Sequence, residues 1–598
     1  MNTFPQDIYQ QRINDLSILL KELYRKKSQL AWLRSGAAIA AFIACYLLWP
    51  YGIPVAIGAF ILLFAVFFRV VIIDTENSHR IANTQTQLTI NNEEIKIAEH
   101  QFTHRDDGSR FIPAVHAYAA DLDIFGRASL YQYSNRTTSE QGNKLFSSWL
   151  LSPAQAQEIE QRQTAAKELA DKVEFRQQLQ AYGLKHQLTI NTEQRIMNWL
   201  KEQDQFSEKT SWRIARWVLP GLSLLSAILC IAGILPTGIF INIAILFFII
   251  SGAISKKIMP VYNELNKIAP EVGTLSDSIR WIENGSLKSQ FLQQLQQQVL
   301  QDNQPASRAI KHLNKILGRF DVRLNPIVFV PLNILLFWDL QQAFALEQWR
   351  KENRDKVSHW FHTLATMETV STLGTLTFNH PGWCFPVFSQ HPGTFAATDL
   401  GHPLIDASKR VTSSFSTEGL NQLSLITGSN MAGKSTFLRS VGINMVLAMT
   451  GAPVCATSFT VSPMKIMSSM RIADNLEENT STFYAELKKL KDIIEAVNRH
   501  EPVFLLLDEI LRGTNSLDRH TGSKALIKQL IHHEAVGMIA THDIELAKLA
   551  EHFPKYIHNY HFDVQIANDE LYFDYKLKQG VCQSLNASIL MKKIGIEL

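Results

Sequence analysis

The residues from Gly428 to Ser435, GSNMAGKS, fit the spacing G-x-x-x-x-G-K-[ST] in full, between an apolar run at Leu423–Thr427 and a helical pattern that starts at Lys434. Glycines at the two ends of such a loop let backbone N–H groups wrap a phosphate chain; the ammonium of Lys434 reaches its outer oxygens and the hydroxyl of Ser435 ligates Mg²⁺. That makes Gly428, Asn430, Met431, Ala432, Gly433, Lys434, Ser435 and Thr436 candidate contacts for ATP. A second stretch, VFLLLDE at Val503–Glu509, puts two carboxylates at the end of a buried strand, Asp508 suited to Mg²⁺ and Glu509 to polarising water. Paired acids without such a strand would read as a solvated end. His542, in ATHD after another apolar run, is a candidate γ-phosphate sensor, although a lone histidine is more often structural. The chemistry these residues predict is ATP binding and hydrolysis with Mg²⁺.

The elements that must hold them come next. From about residue 396, short apolar runs alternate with helical patterns, LSLITG, then VFLLLDE, then VGMIATHD. Apolar strands bounded by helices predict a parallel sheet covered on both faces. Upstream, residues 74–215 and 256–395 are polar and helical, rich in Gln and Glu. Near the start, Tyr9, Ile13, Leu16, Leu20, Leu23 and Leu30 recur at helical steps and mark one packing face. With 598 residues the chain is multidomain. A net charge of +3 neither demands nor excludes a polyanionic partner. The five cysteines show no C-x-x-C pair, which predicts no disulfide framework.

Two runs stand apart. Ser35–Ile73 has Arg69 as its one charge and Trp217–Ser255 has none, and each is about twice the roughly 20 residues of one membrane-spanning helix. Each reads as a helical hairpin, turning at Trp49–Gly52 and at Pro236–Gly238, so four spanning helices are expected. A buried core hairpin is the alternative. Edge aromatics (Trp32, Trp49, Trp212, Trp217) and flanking cations (Arg25, Lys26, Lys27, Arg34, Lys209, Arg213, Arg216, Lys256, Lys257) favour lipid, and they place the outer ends in the cytoplasm. A further apolar stretch, Ile327–Trp338, is short and holds Pro331 and Asn333, which predicts a buried helix rather than a fifth span. The resulting division is an amphipathic helix over 1–34, hairpins over 35–73 and 216–255, helical regions over 74–215 and 256–395, and an α/β domain over 396–598.

TGSNMAGKSTFLRSVG, GAPVCA (Gly451–Ala456), STFYAEL (Ser481–Leu487), LLLDEILRGTNSLD (Leu505–Asp518) and ATHD (Ala540–Asp543), in this order, resemble the ATPase domain of the MutS family. Leu122–Pro153 and Glu160–Leu169 are similar to that family's lever region, and GHPLI (Gly401–Ile405) to the strand that introduces its ATPase domain. The resemblance implies a P-loop fold related to the ABC class. It also implies a homodimer of ATPase domains, in which Ser481 and Thr482 of one subunit complete the phosphate site of the other. Two departures accompany it: Asn479 stands where the signature carries glycine, and the segment Arg471–Leu476 is shortened. Neither a mismatch-reading domain nor its Phe-x-Glu wedge is visible, and little chain remains for the family's C-terminal dimerisation helices. The second hairpin interrupts the helical region about where the family inserts its DNA-gripping clamp, as though lipid replaced the clamp. The expected function is therefore a membrane-anchored MutS-like ATPase at the inner face of the cytoplasmic membrane, coupled to mismatch-repair-related or branched DNA. The alternative is a membrane-remodelling or signalling ATPase without nucleic acid.

Overall fold

The structure is a computed structural model that describes residues 4–300, 305–429, 432–471, 482–567 and 570–582. Helices α1 (Pro5–Leu48) and α2 (Ile53–Ala98) pack together as a hairpin, joined by the turn Trp49–Tyr51. Gly52 closes that turn at φ 115°, a conformation that disfavours any side chain. The boundaries at 34 and 73 fall inside the two rods, because no proline lies near either position to interrupt the backbone ladder. Each rod is roughly 65 Å long at the helical rise. In the polar half, Tyr9, Leu23, Leu30, Ile81, Ile90 and Ile97 are buried, while in the apolar half Phe42, Ile61, Leu62 and Phe68 stand exposed. Arg34 and Asp74 pair at 3.1 Å where the halves meet.

Between the hairpins lies a set of shorter helices, among them α3 (Ala156–Ala170). The second hairpin is α4 (Thr210–Ile231) and α5 (Thr237–Asn266). Its turn falls at Ala232–Pro236, slightly before the predicted Pro236–Gly238, with Gly233 at φ 75°. All four hairpin helices are long and apolar enough to cross a membrane. After them come α6 (Ala306–Phe320), α7 (Pro326–Leu336), α8 (Trp338–Asn353) and α9 (Val357–Asn379). In α9 every residue from Thr363 to Leu376 is buried, so this helix is the spine against which α3 packs. Tyr9 of α1 donates to Asn379 Oδ1 at 2.7 Å, and Asn379 donates to Glu94 of α2 at 2.8 Å, tying the first hairpin to the end of the spine.

The apolar stretch Ile327–Trp338 is not the buried helix predicted above. Its helix α7 lies against α4 and α5, but Ile327 is 85% exposed and Asn333 is its one buried residue. A short apolar segment carries no local mark that separates core from surface.

Among the described residues the C-terminal region holds two sheets. Strands β1 (Val387–Phe388), β2 (Phe395–Leu400), β3 (Ser413–Thr417) and β5 (Ser458–Val461) form the smaller, in the order β1-β5-β2-β3. The larger comprises β4 (Leu423–Thr427), β6 (Lys465–Ser469), β7 (Val503–Asp508), β8 (Val536–Thr541), β9 (Ile557–Ala567) and β10 (Glu570–Gln579). Its order is β10-β9-β4-β8-β7-β6, parallel except for β10. Helix α10 (Lys434–Thr450) covers one face, where Phe504 and Leu506 meet Val441 and Met445. Helices α11 (Thr482–Asn498) and α12 (Ser516–His532) cover the other, where Leu505 and Leu507 meet Leu490, Ile493, Ile527 and Leu530. The alternation follows from the two-residue period of a strand. It yields the doubly covered parallel sheet that the apolar runs predict.

Candidate functional site

The sheet register assembles the candidate residues. Thr427 pairs with Thr541, and Asp508 with Ala540, so β4, β8 and β7 end along one edge. The loop after Thr427, the acid after Asp508 and the histidine after Thr541 must therefore meet there, and they do. His542 Nδ1 lies 2.8 Å from Gly428 O, and its Nε2 touches Glu509 Oε1. Lys434 Nζ donates to Gly428 O at 2.8 Å and to Ser429 O at 2.9 Å, and stands 3.4 Å from His542 Nδ1.

The loop requires its glycines. Gly428 and Gly433 have φ 151° and 104°, and a Cβ on Gly428 would lie 2.9 Å from the carbonyl oxygen of Phe562. Ala432 is buried, Ser435 is half-buried and Thr436 is exposed in the first turn of α10. Asn430, Met431 and Ser481 lie outside the described residues, as does Asn479; Thr482 opens α11.

Burial drives the Lys434 ammonium down from its usual range to about 8, although Glu509 and Asp508 act in the opposite direction. The Glu509 carboxyl is held below its ordinary value, chiefly by its contact with His542, and so stays ionised as a proton acceptor needs. Glu509 itself sits at φ 50°, a left-handed conformation, with its N–H donating to Ala540 O at 2.9 Å. This twist turns its side chain away from the line of β7 and toward His542.

Sequence reasoning assigned no role to two residues that the site uses. Arg512 Nε lies 3.1 Å from Glu509 Oε2, and its Nη2 lies 3.5 Å from Asp508 Oδ2, so one guanidinium braces both acids. Its place three and four residues after them was the available signal. Glu486 of α11 accepts from the N–H of Leu511 at 2.5 Å, and burial raises its carboxyl above the usual range. Because α11 begins at Thr482, Glu486 ties the start of that helix to the loop that carries the acids.

The donor set fits Mg²⁺. A single cation of this kind takes one or two protein oxygens and completes its shell with water and phosphate. Asp508 is buried at the strand end with a carboxylate not tightly paired, and Ser435 offers a hydroxyl in the first turn after the loop.

Residues 424–593 match the family described as MutS domain V, a span that contains every site residue from Gly428 to His542. The DNA mismatch repair protein MutS of Desulfatibacillum aliphaticivorans is 31% identical over 235 residues, which cover 38% of this chain and 26% of that protein. This chain's region 424–593 is similar to MutS domain V. MutS protein homolog 4 of Homo sapiens is 32% identical over 245 residues, covering 38% of this chain and 25% of its own length. DNA mismatch repair protein MutS of Treponema pallidum (strain Nichols) is 32% identical over 244 residues, covering 39% and 26%. The chain thus spans about a quarter of the length of these MutS relatives.

Proposed function

We propose that the chain is a membrane-anchored MutS-like ATPase, which hydrolyses ATP at paired sites and couples the cycle to DNA. The observation that carries the reading is the convergence of Lys434, Asp508, Glu509 and His542 on one sheet edge around a glycine loop. In this reading the loop amides and Lys434 bind the phosphates, and Glu509 takes a proton from the attacking water. His542 orients Glu509, since its other nitrogen is fixed on Gly428 O. Mg²⁺ held by Ser435 and Asp508 would supply charge neutralisation at the β- and γ-phosphate oxygens.

Membrane anchoring is supported by the exposed apolar halves of α1, α2, α4 and α5 and by cations at their polar ends, with the ATPase domain on the cytoplasmic side. A homodimer through the ATPase domains is supported by the resemblance around Ser481 and Thr482. DNA coupling is supported by the names of the MutS relatives.

The experiment measures ATP turnover of the detergent-solubilised full chain alone and with homoduplex, mismatched duplex and branched junction. Stimulation by DNA is expected, with at most about tenfold preference for a mismatch, because reading one requires a wedge that distorts the duplex. Turnover indifferent to all three DNAs would favour the reading without nucleic acid. Recovery of the chain from membranes by carbonate washing would remove the anchoring.

A further inference from the structure

The apolar surface of the second hairpin continues beyond its two helices. Helix α7 carries no charge, and its flank is open: Leu324, in the turn leading in, is 82% exposed, and Ile327 and Val328 are exposed beside it. Eleven residues are too few to cross a hydrocarbon layer about 30 Å thick, and an apolar segment of that length is either core or an interfacial or re-entrant piece. Its exposure removes the first option.

The depth of α7 follows from its contacts. Asn333 Nδ2 donates to Ser255 Oγ at 3.2 Å, and Ser255 is followed by Lys256 and Lys257, two exposed cations where α5 leaves its apolar run. Arg323, just before α7, reaches Met259 Sδ at 2.7 Å, on the polar side of those lysines. Toward the apolar side, Ser223 Oγ of α4 donates to Ile334 O at 3.0 Å, and the Phe337 ring packs edge-on to Phe247 at 5.7 Å. Ser223 and Phe247 both lie within the charge-free run Trp217–Ser255. The chain then bends by 77° into α8.

Both ends of α7 are tied at one place. Arg323 before it and Asp339 after it form an ion pair with Nε to Oδ1 at 3.0 Å, and the fully buried Asp339 also accepts from Ser255 Oγ. The segment leaves the lysine level, reaches the apolar zone and returns to the same buried carboxylate. A patch this apolar marks either a protein partner or a membrane. Its continuity with α4 and α5 at the level of the lysine pair points to lipid.

We propose that α7 is a shallow re-entrant element embedded at the cytoplasmic boundary of the bilayer, with the Leu324–Val328 flank against acyl chains close to the headgroups. This rests on the reading of the two hairpins as membrane-spanning. Lipid contact in α7 adjoins α8, which leads to the buried spine α9.

The test places an environment-sensitive fluorophore on the full chain at Ile327→Cys, at Leu246→Cys in the middle of the apolar part of α5 and at Lys311→Cys on the exposed side of α6. Cys45 and Cys230 are replaced by Ala throughout, and the same background without a new cysteine, labelled in parallel, supplies the blank. The variants are reconstituted in phosphatidylcholine and phosphatidylglycerol vesicles carrying spin-labelled lipids, with the label near the headgroup or at the acyl terminus. Ile327 and Leu246 are both exposed, so neither change removes a core contact. The probe at position 327 should emit to the blue of the probe at 311, resist aqueous iodide and be quenched more by the shallow label than by the deep one. The probe at 246 should show the reverse depth preference. A probe at 327 open to iodide and untouched by either lipid label, with 246 still quenched, overturns the proposal while leaving the anchoring in place. Shielding at 327 from both iodide and lipid labels also overturns it, since protein would then cover the face. Loss of lipid quenching at 246 refutes the anchoring itself, and the proposal with it.

Discussion

Lys489 Nζ lies 3.1 Å from Asp121 Oδ2 although 368 positions separate them in the chain. Asp121 is buried and also accepts from Ser468 Oγ at 2.7 Å and from the N–H groups of Met470 at 3.3 Å and Arg471 at 3.0 Å. Asp121, directly before the stretch similar to the MutS lever region, therefore docks on the end of β6 and on α11, the two elements that flank residues 472–481. Arg471 and Arg439 add a second tie through Asp123. Asp121→Asn keeps the shape and removes the charge, and should cost about 1–3 kcal/mol of stability, the scale for weakening hydrogen bonds to a buried charged group. Thermal unfolding in detergent measures it. An unchanged melting temperature would show that the joint contributes nothing.

Residues of the site should separate by role. Lys434→Ala should abolish binding of a fluorescent ATP analogue, because the cation that faces the phosphates is gone. Glu509→Gln should retain binding and slow turnover by about 10²-fold or more, a usual scale for losing a general base. His542→Ala should slow turnover less than Glu509→Gln, because it orients the base rather than accepting the proton. Equal loss of binding in all three variants would mean that the edge is a structural network.

The depressed Lys434 ammonium gives the free protein a pH signature. Phosphates favour the charged form, so the pKa rises on binding; affinity is then flat below the free value of about 8 and falls as pH rises through it. Above that point the loss should approach about tenfold per pH unit until the bound-state value is reached. Titration of the fluorescent analogue at alkaline pH measures it, and Lys434→Arg should abolish the dependence, since guanidinium stays charged. Affinity that rises with pH would contradict the placement of this lysine.

A split site predicts complementation. A subunit with Lys434→Ala still presents Ser481, while one with Ser481→Ala still presents an intact loop. Equal co-reconstitution with free exchange should restore about a quarter of wild-type turnover, since half the dimers are mixed and each holds one working site of two. Co-purification of differently tagged subunits without recovered turnover would rule out the shared site.

The sequence by itself determined the features that short-range pattern encodes. The glycine loop with Lys434 and Ser435, the apolar run ending in Asp508 and Glu509, and the two long apolar runs are legible because each depends on spacing within a few residues or on composition over one segment. The tertiary structure decided what lies between segments. His542 meets Glu509 because β8 runs between β4 and β7 in a register that aligns their ends, and strand order is set by packing across the whole domain. Asp121 acquires its partners only when the helical region docks on the sheet. The unbroken rods at residues 34 and 73 arise because a change of polarity along a helix leaves the backbone ladder intact. The open face of α7 was beyond sequence reading for a related reason: core and lipid select the same apolar side chains, so only the positions of the neighbouring helices distinguish them.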